Sequence, residues 1–129
     1  MKDKYIVLIV GESGSGKSTI CDELTKRYGL KQVKSYTTRP RRSEDEDGHT
    51  FISDEEFKEL EGICAYTYFD RHNYCATREQ IDNSDLYIID PYGVKYFMET
   101  YNGRKIPMVV YIHADKRIRR KRMAKRGDK

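Results

Sequence analysis

The chain has 129 residues, 37% of them hydrophobic and 36% charged, with a formal net charge of +4; that length fits one domain with a modest core under a heavily charged surface. No stretch approaches the roughly 20 apolar residues of a membrane span. The start, Met1-Lys2-Asp3-Lys4, runs into a short apolar stretch that ends in glycine-rich sequence without a small-residue cleavage site, so a soluble cytoplasmic protein without a signal peptide is expected.

Tyr5–Val10 is a continuous apolar, β-branched run, the pattern of a strand buried on both faces of a parallel sheet. It ends in Gly11-Glu12-Ser13-Gly14-Ser15-Gly16-Lys17-Ser18, which matches the phosphate-binding spacing Gly-x-x-x-x-Gly-Lys-Ser between a strand and a helix. The glycines let successive backbone N–H groups turn toward one anion. The helix beginning near Lys17 adds the positive end of its dipole. Gly11, Ser13, Gly14, Ser15, Gly16, Lys17, Ser18 and Thr19 are therefore expected to bind ATP. Lys17 is suited to the β- and γ-phosphates and the Ser18 hydroxyl to Mg²⁺.

The helix is predicted over Lys17–Tyr28, with Ile20, Leu24 and Tyr28 four apart on one face and Gly29 as the stop. Gln32–Thr37 is a weaker strand candidate, and the polar residues 38–53 read as a loop. Ser53-Asp54-Glu55-Glu56 has the spacing of a capping box, opening a short helix that closes near Gly62. Ala65–Phe69 is a short strand candidate, and Thr77-Arg78-Glu79-Gln80 is a second capping box. Leu86–Ile89 is an apolar run that ends in Asp90, the place where a phosphate site takes its second Mg²⁺-side acid. A helix is expected from Gly93 to about Tyr101, then a strand over Ile106–His113. Last comes a basic helix capped by Asp115 that runs to about Lys125 and ends at Gly127. Strands alternating with helices predict an α/β domain around a parallel sheet with right-handed crossovers.

Charge is uneven along the chain. Residues 116–129 hold nine Lys or Arg and one acid, while the remainder holds sixteen basic and twenty acidic residues. Such a segment attracts polyanions, whether nucleic acid or a nucleotide's phosphates. The odd set Cys21, Cys64 and Cys75 lacks a CxxC pair, which argues against a disulfide framework or a thiolate metal site; reduced, partly buried thiols are expected. His49, His72 and His113 lack metal-ligand spacing and are assigned no role.

Ser35-Tyr36-Thr37-Thr38-Arg39-Pro40-Arg41-Arg42 brings hydroxyls and guanidiniums together, and arginine suits bidentate phosphate contacts. With Gly11–Thr19, Glu44, Gly48, Phe51-Ile52-Ser53, Tyr74, the Asp90–Gly93 turn and Arg122-Met123-Ala124-Lys125-Arg126-Gly127, the chain resembles the guanylate kinase family over most of its length and in the right order. The resemblance implies a P-loop NTPase-type parallel sheet flanked by helices with a small inserted monophosphate-binding region. It implies one kinase domain over 1–129: a core of 1–35 and 82–129, a monophosphate-binding region over 36–81, and the start of a lid at 122–129. Ser35, Arg39, Arg41 and Tyr74 match positions that hold the acceptor's phosphate, and Asp90 matches an acid on the Mg²⁺ side. Arg122 and Arg126 match lid arginines that face the transferring phosphates; their i,i+4 spacing puts both on one helix face independently of the resemblance.

Three departures follow. Ala65 and Ala76 stand where the family carries a glutamate that reads guanine and a hydroxyl. Residues 48–51 are shorter than the family pattern, with Phe51 near an expected tyrosine. The family pattern continues past Lys129 into the rest of the lid, a further arginine-bearing helix and a last strand. The expected chemistry is in-line transfer of the γ-phosphoryl of Mg·ATP to a nucleoside monophosphate, GMP or dGMP first, without a covalent intermediate. Lys17, Arg39, Asp90, Arg122 and Arg126 carry catalysis, Ser18 and Asp90 hold the metal, and nucleotides are the partners, with neither membrane nor nucleic acid expected. The open alternatives are a nucleotide-binding or protein-interaction module without turnover, a P-loop kinase for a non-nucleotide acceptor, and a nucleic-acid binder using 116–129.

Overall fold

The computed structural model of the protein describes residues 4–12, 16–46 and 48–113. The basic helix expected from Asp115, the lid start at 122–129 with Arg122 and Arg126, and the loop residues Ser13, Gly14 and Ser15 lie outside them.

The elements run β1 (Tyr5–Val10), α1 (Lys17–Tyr28), β2 (Tyr36–Thr37), β3 (Thr50–Phe51), α2 (Asp54–Lys58), β4 (Ile63–Phe69), β5 (His72–Thr77), α3 (Arg78–Asp82), β6 (Leu86–Ile88), α4 (Pro91–Thr100) and β7 (Ile106–Tyr111). They build two sheets. One has the order β6-β1-β7 with both pairings parallel. In the other, β3-β2-β5-β4, the β2–β3 pair is parallel and the β2–β5 and β4–β5 pairs are antiparallel. The α/β class and the parallel sheet expected from the sequence are what the fold shows.

The apolar run of β1 is covered on both faces, as its composition requires. Ile6, Leu8 and Val10 enter a core with Cys64, Ala65, Ala76 and Phe97. Ile9 joins Cys21 and Leu86 on the other side, with Val7 and Leu24 packed against them. The first core draws on both sheets, so they share one apolar interior. Phe97 is completely buried and stacks on Tyr101 at 4.8 Å. Within the short parallel sheet, the Asp85 carboxylate before β6 accepts from Lys31 N–H at 2.8 Å and lies 3.7 Å from the buried Lys105 ammonium.

Both capping boxes form. Ser53 accepts from Glu56 N–H while the Glu56 side chain takes Ser53 N–H, and Thr77 and Gln80 do the same for α3. Gly29 ends α1 in the left-handed region (φ 68°).

Several expectations need correcting. α1 has the expected bounds but only part of the expected face, with Leu24 packed against the core as expected. Ile20 is 40% and Tyr28 65% exposed, whereas Cys21 is fully buried. A thiol that packs as a small hydrophobe shifts the buried stripe by one residue. α4 starts at Pro91 rather than Gly93, because Asp90 caps it and proline suits a first helical position. The loop read over 38–53 contains β3, and β4 begins at Ile63 rather than Ala65. β5, His72–Thr77, was not expected at all. The hairpin turn before it is Asp70-Arg71, with both residues at positive φ (50° and 67°). A two-residue hairpin loop of that kind normally announces itself with Asn-Gly or Asp-Gly.

Candidate nucleotide site

Gly11, directly after β1, opens the glycine loop that leads to α1. Gly16 is the N-cap residue of α1 at φ 95° and makes no side-chain cap hydrogen bond. That conformation favours glycine, and a helix start without a side-chain cap leaves its first N–H groups for another acceptor. Lys17 Nζ donates to the Gly11 carbonyl at 2.6 Å, which places the ammonium just past the end of β1. Ser18 and Thr19 are exposed on the first turn of α1. An ammonium and a hydroxyl at an uncapped helix start are a donor set that fits a polyphosphate with a hard cation.

The second half of the site comes from the β3-β2-β5-β4 sheet. Thr37 and Thr38 of the Ser35–Arg42 segment fix it to β5. The buried Thr37 hydroxyl donates to the Asn73 carbonyl at 2.9 Å and accepts Arg39 N–H at 3.1 Å. Thr38 Oγ1 accepts Asn73 N–H at 3.0 Å. This pins Arg39, which is only 8% exposed. Its Nη1 and Nη2 donate to Glu46 Oε1 and Oε2 at 3.2 and 2.6 Å, a bidentate ion pair, and its Nε donates to the Tyr74 hydroxyl at 3.2 Å. Arg41 donates to the Glu46 carbonyl and lies over the Phe51 ring at 4.5 Å.

Glu46 is thus the organising anion of the loop. The Arg39 hydrogen bonds, with Arg42 N–H, hold its carboxyl down at about 2. Arg39 and Arg41 are engaged with their own loop, and Arg39 also holds the Tyr74 hydroxyl.

Ser35 Oγ lies 3.1 Å from His49 Nδ1, and the His49 ring meets Tyr74 edge-on at 5.4 Å. Burial, and then the Arg39 guanidinium, lower the His49 pKa, which favours the neutral ring. No metal-ligand spacing pointed to His49; its place beside Ser35 comes from the β2–β3 pairing.

A cavity of about 370 Å³ lies between the β3-β2-β5-β4 sheet and the junction of β6 with α4. Ser35 and Tyr74 line one part and Asp90 and Gly93 another, with Ala65 and Tyr87 also on the wall. Asp90 Oδ1 accepts Gly93 N–H at 2.7 Å, so one carboxylate oxygen is used in capping α4. A Cβ on Gly93 would stand 2.8 Å from Ile89 Cγ1, so glycine is what lets α4 begin this close to β6. Ala65 and Ala76 face each other across β4 and β5. Ala65 reaches the cavity wall, while Ala76 is fully buried in the core.

The three cysteines are free and buried. Burial pushes the thiols of Cys21 and Cys75 up to about 11 and that of Cys64 to about 12, so none is a nucleophile at neutral pH.

A strand running into a glycine loop, a lysine and a helix start, set in a parallel sheet, defines a P-loop protein. A family model described as an AAA domain matches residues 7–129, and the chain belongs to that family. It is 41% identical over 63 residues to a guanylate kinase of Clostridioides difficile (strain 630), a match covering 46% of this chain and 31% of that protein. The crystal structure of guanylate kinase from Anaplasma phagocytophilum matches with a TM-score of 0.61 at 20% identity, over 98% of this chain and 67% of that one. That likeness shows the shared fold. Together they bear out the resemblance to guanylate kinase as a P-loop protein. Among the described residues no helix is long and apolar enough to cross a membrane.

Proposed function

We propose that the chain transfers the γ-phosphoryl of ATP to the phosphate of a nucleoside monophosphate, with GMP or dGMP as the first candidates. The observation that carries this reading is the single cavity bounded by Ser35 and Tyr74 on one part of its wall and by Asp90 at the end of the parallel sheet. An acceptor phosphate held by the Ser35 and Tyr74 hydroxyls lies, on this reading, in the same enclosure that opens toward the Asp90 end of the sheet carrying the P-loop.

Gly11 and the loop through Ser18 and Thr19 hold the donor's phosphates, with Lys17 leaving the Gly11 carbonyl for them. Ser18 and Asp90 would hold Mg²⁺, which supplies charge neutralisation at the phosphates when bound. Arg39 positions Tyr74, and the Glu46 pair keeps that guanidinium rigid. Arg122 and Arg126, carried over from the resemblance, would face the transferring group. The protein's part is positioning and electrostatics, since phosphoryl transfer between two phosphates needs no nucleophilic side chain.

The test is ADP release from Mg·ATP with each of GMP, dGMP, AMP, CMP, UMP and dTMP. One or more of them is expected to turn over, and Lys17→Ala to reduce the rate by about two to three orders of magnitude. ATP binding without turnover on any of the six would favour a binding module or a different acceptor.

A further inference from the structure

Tyr87 lies in β6 and points into the core that both sheets share. It is only 9% exposed, and among the described residues its phenol makes no hydrogen bond. A buried tyrosine normally finds a partner for its hydroxyl. Tyr87 also lines the cavity that holds Ser35, Tyr74 and Asp90, beside Ala65. An unpartnered polar group at the wall of a ligand-sized cavity is a group whose partner arrives with the ligand.

From this we infer that Tyr87 reads the acceptor's base: its phenol forms the hydrogen bond by which the cavity recognises a nucleoside monophosphate. This rests on the kinase reading above and goes beyond it by naming the residue and the kind of base recognition. Ala65 offers the wall a methyl group, and a methyl neither donates nor accepts. The titratable groups that act on the phenol electrostatically are Cys64, Cys75 and Asp90. Burial raises the Tyr87 pKa further, so the phenol is neutral throughout the working range. A neutral phenol donates once and accepts as well. It therefore suits a base edge that presents a carbonyl oxygen or a bare ring nitrogen, and it makes no demand for the paired N–H donors that a carboxylate would require. Selectivity among monophosphates then comes from one hydrogen bond and the cavity's shape.

Tyr87→Phe removes only the hydroxyl. Binding of GMP, dGMP, AMP, CMP, UMP and dTMP to wild type and variant is measured by calorimetry, with Mg·ATP titrated separately and melting recorded for both proteins. For the monophosphate bound most tightly, the variant is expected to lose about tenfold in affinity. The spread across the six narrows, Mg·ATP affinity is unchanged, and the melting temperature does not fall, because the hydroxyl has no partner to lose. Equal affinities and spread in the two proteins, with monophosphate binding intact, overturn the role of Tyr87 and leave the kinase reading standing. A drop in melting temperature together with uniform weakening of all six assigns the hydroxyl a structural role and also overturns it. A wild type that binds none of the six removes the kinase reading and this inference with it.

Discussion

The two sheets hold their functional groups by different means. In the β6-β1-β7 sheet the functional segment is set by its chain neighbours: β1 is buried on both faces and the glycine loop follows it directly, while β7 at the sheet edge is largely exposed. The β3-β2-β5-β4 sheet has two strands of two residues each, and much of β4 is exposed, with Tyr68 at 61% and Phe69 at 67%. What fixes its groups is a polar network: Thr37 and Thr38 onto Asn73, Arg39 onto Glu46 and Tyr74, Ser35 onto His49. The difference teaches that the donor half is built by hydrophobic burial and chain adjacency. The acceptor half is built by directional bonds between residues far apart in sequence, with Arg39 and Tyr74 35 positions apart.

The strongest perturbation should erase the distinction. Phe97 belongs to the core common to both sheets, so Phe97→Ala is expected to cost about 3–5 kcal/mol and to lower the stability of both together, seen as one earlier transition in urea. A second change should strike the acceptor half alone. Glu46 has a depressed carboxyl, so its contribution is present above the ordinary value of 4.5 and is lost as pH falls toward about 2. Glu46→Gln should weaken monophosphate binding more than ATP binding and flatten the stability decline between those pH values, as followed by urea midpoints across pH. Smaller still is the cap of α3. Thr77→Ala removes one member of its capping box and should cost about 1 kcal/mol, with melting as the readout. The smallest effect has the opposite sign. Arg71 sits at φ 67° in the hairpin turn, and Arg71→Gly should stabilise the protein by up to about 1 kcal/mol, leaving the donor half untouched.

Legibility in the sequence divides along the same line. β1, the glycine loop and α1 could be read directly, because each depends on neighbours in the chain. Both capping boxes could be read for the same reason. The face of α1 could be read only in part: Leu24 packs as expected, but the buried centre is Cys21, whose thiol gives no strong apolar signal. β5 was invisible because its turn uses Asp70 and Arg71 in a conformation that glycine usually announces. Ser35, Arg39 and Tyr74 were named from the family resemblance, but their linkage through Glu46 and His49 depends on a loop folding back on itself. Tyr87 drew no attention in the sequence, since a tyrosine within an apolar run reads as core. What distinguishes it is a phenol without a hydrogen-bond partner among the described residues.

The central claim is that the two halves serve two ligands. Its most direct test is calorimetric titration of Mg·ATP and of the best monophosphate into wild type, Lys17→Ala and Tyr74→Phe. The account predicts crossed losses: Lys17→Ala binds ATP weakly and keeps the monophosphate, while Tyr74→Phe does the reverse. If both variants lose the same ligand, or neither loses any, the assignment of donor and acceptor to separate halves is wrong.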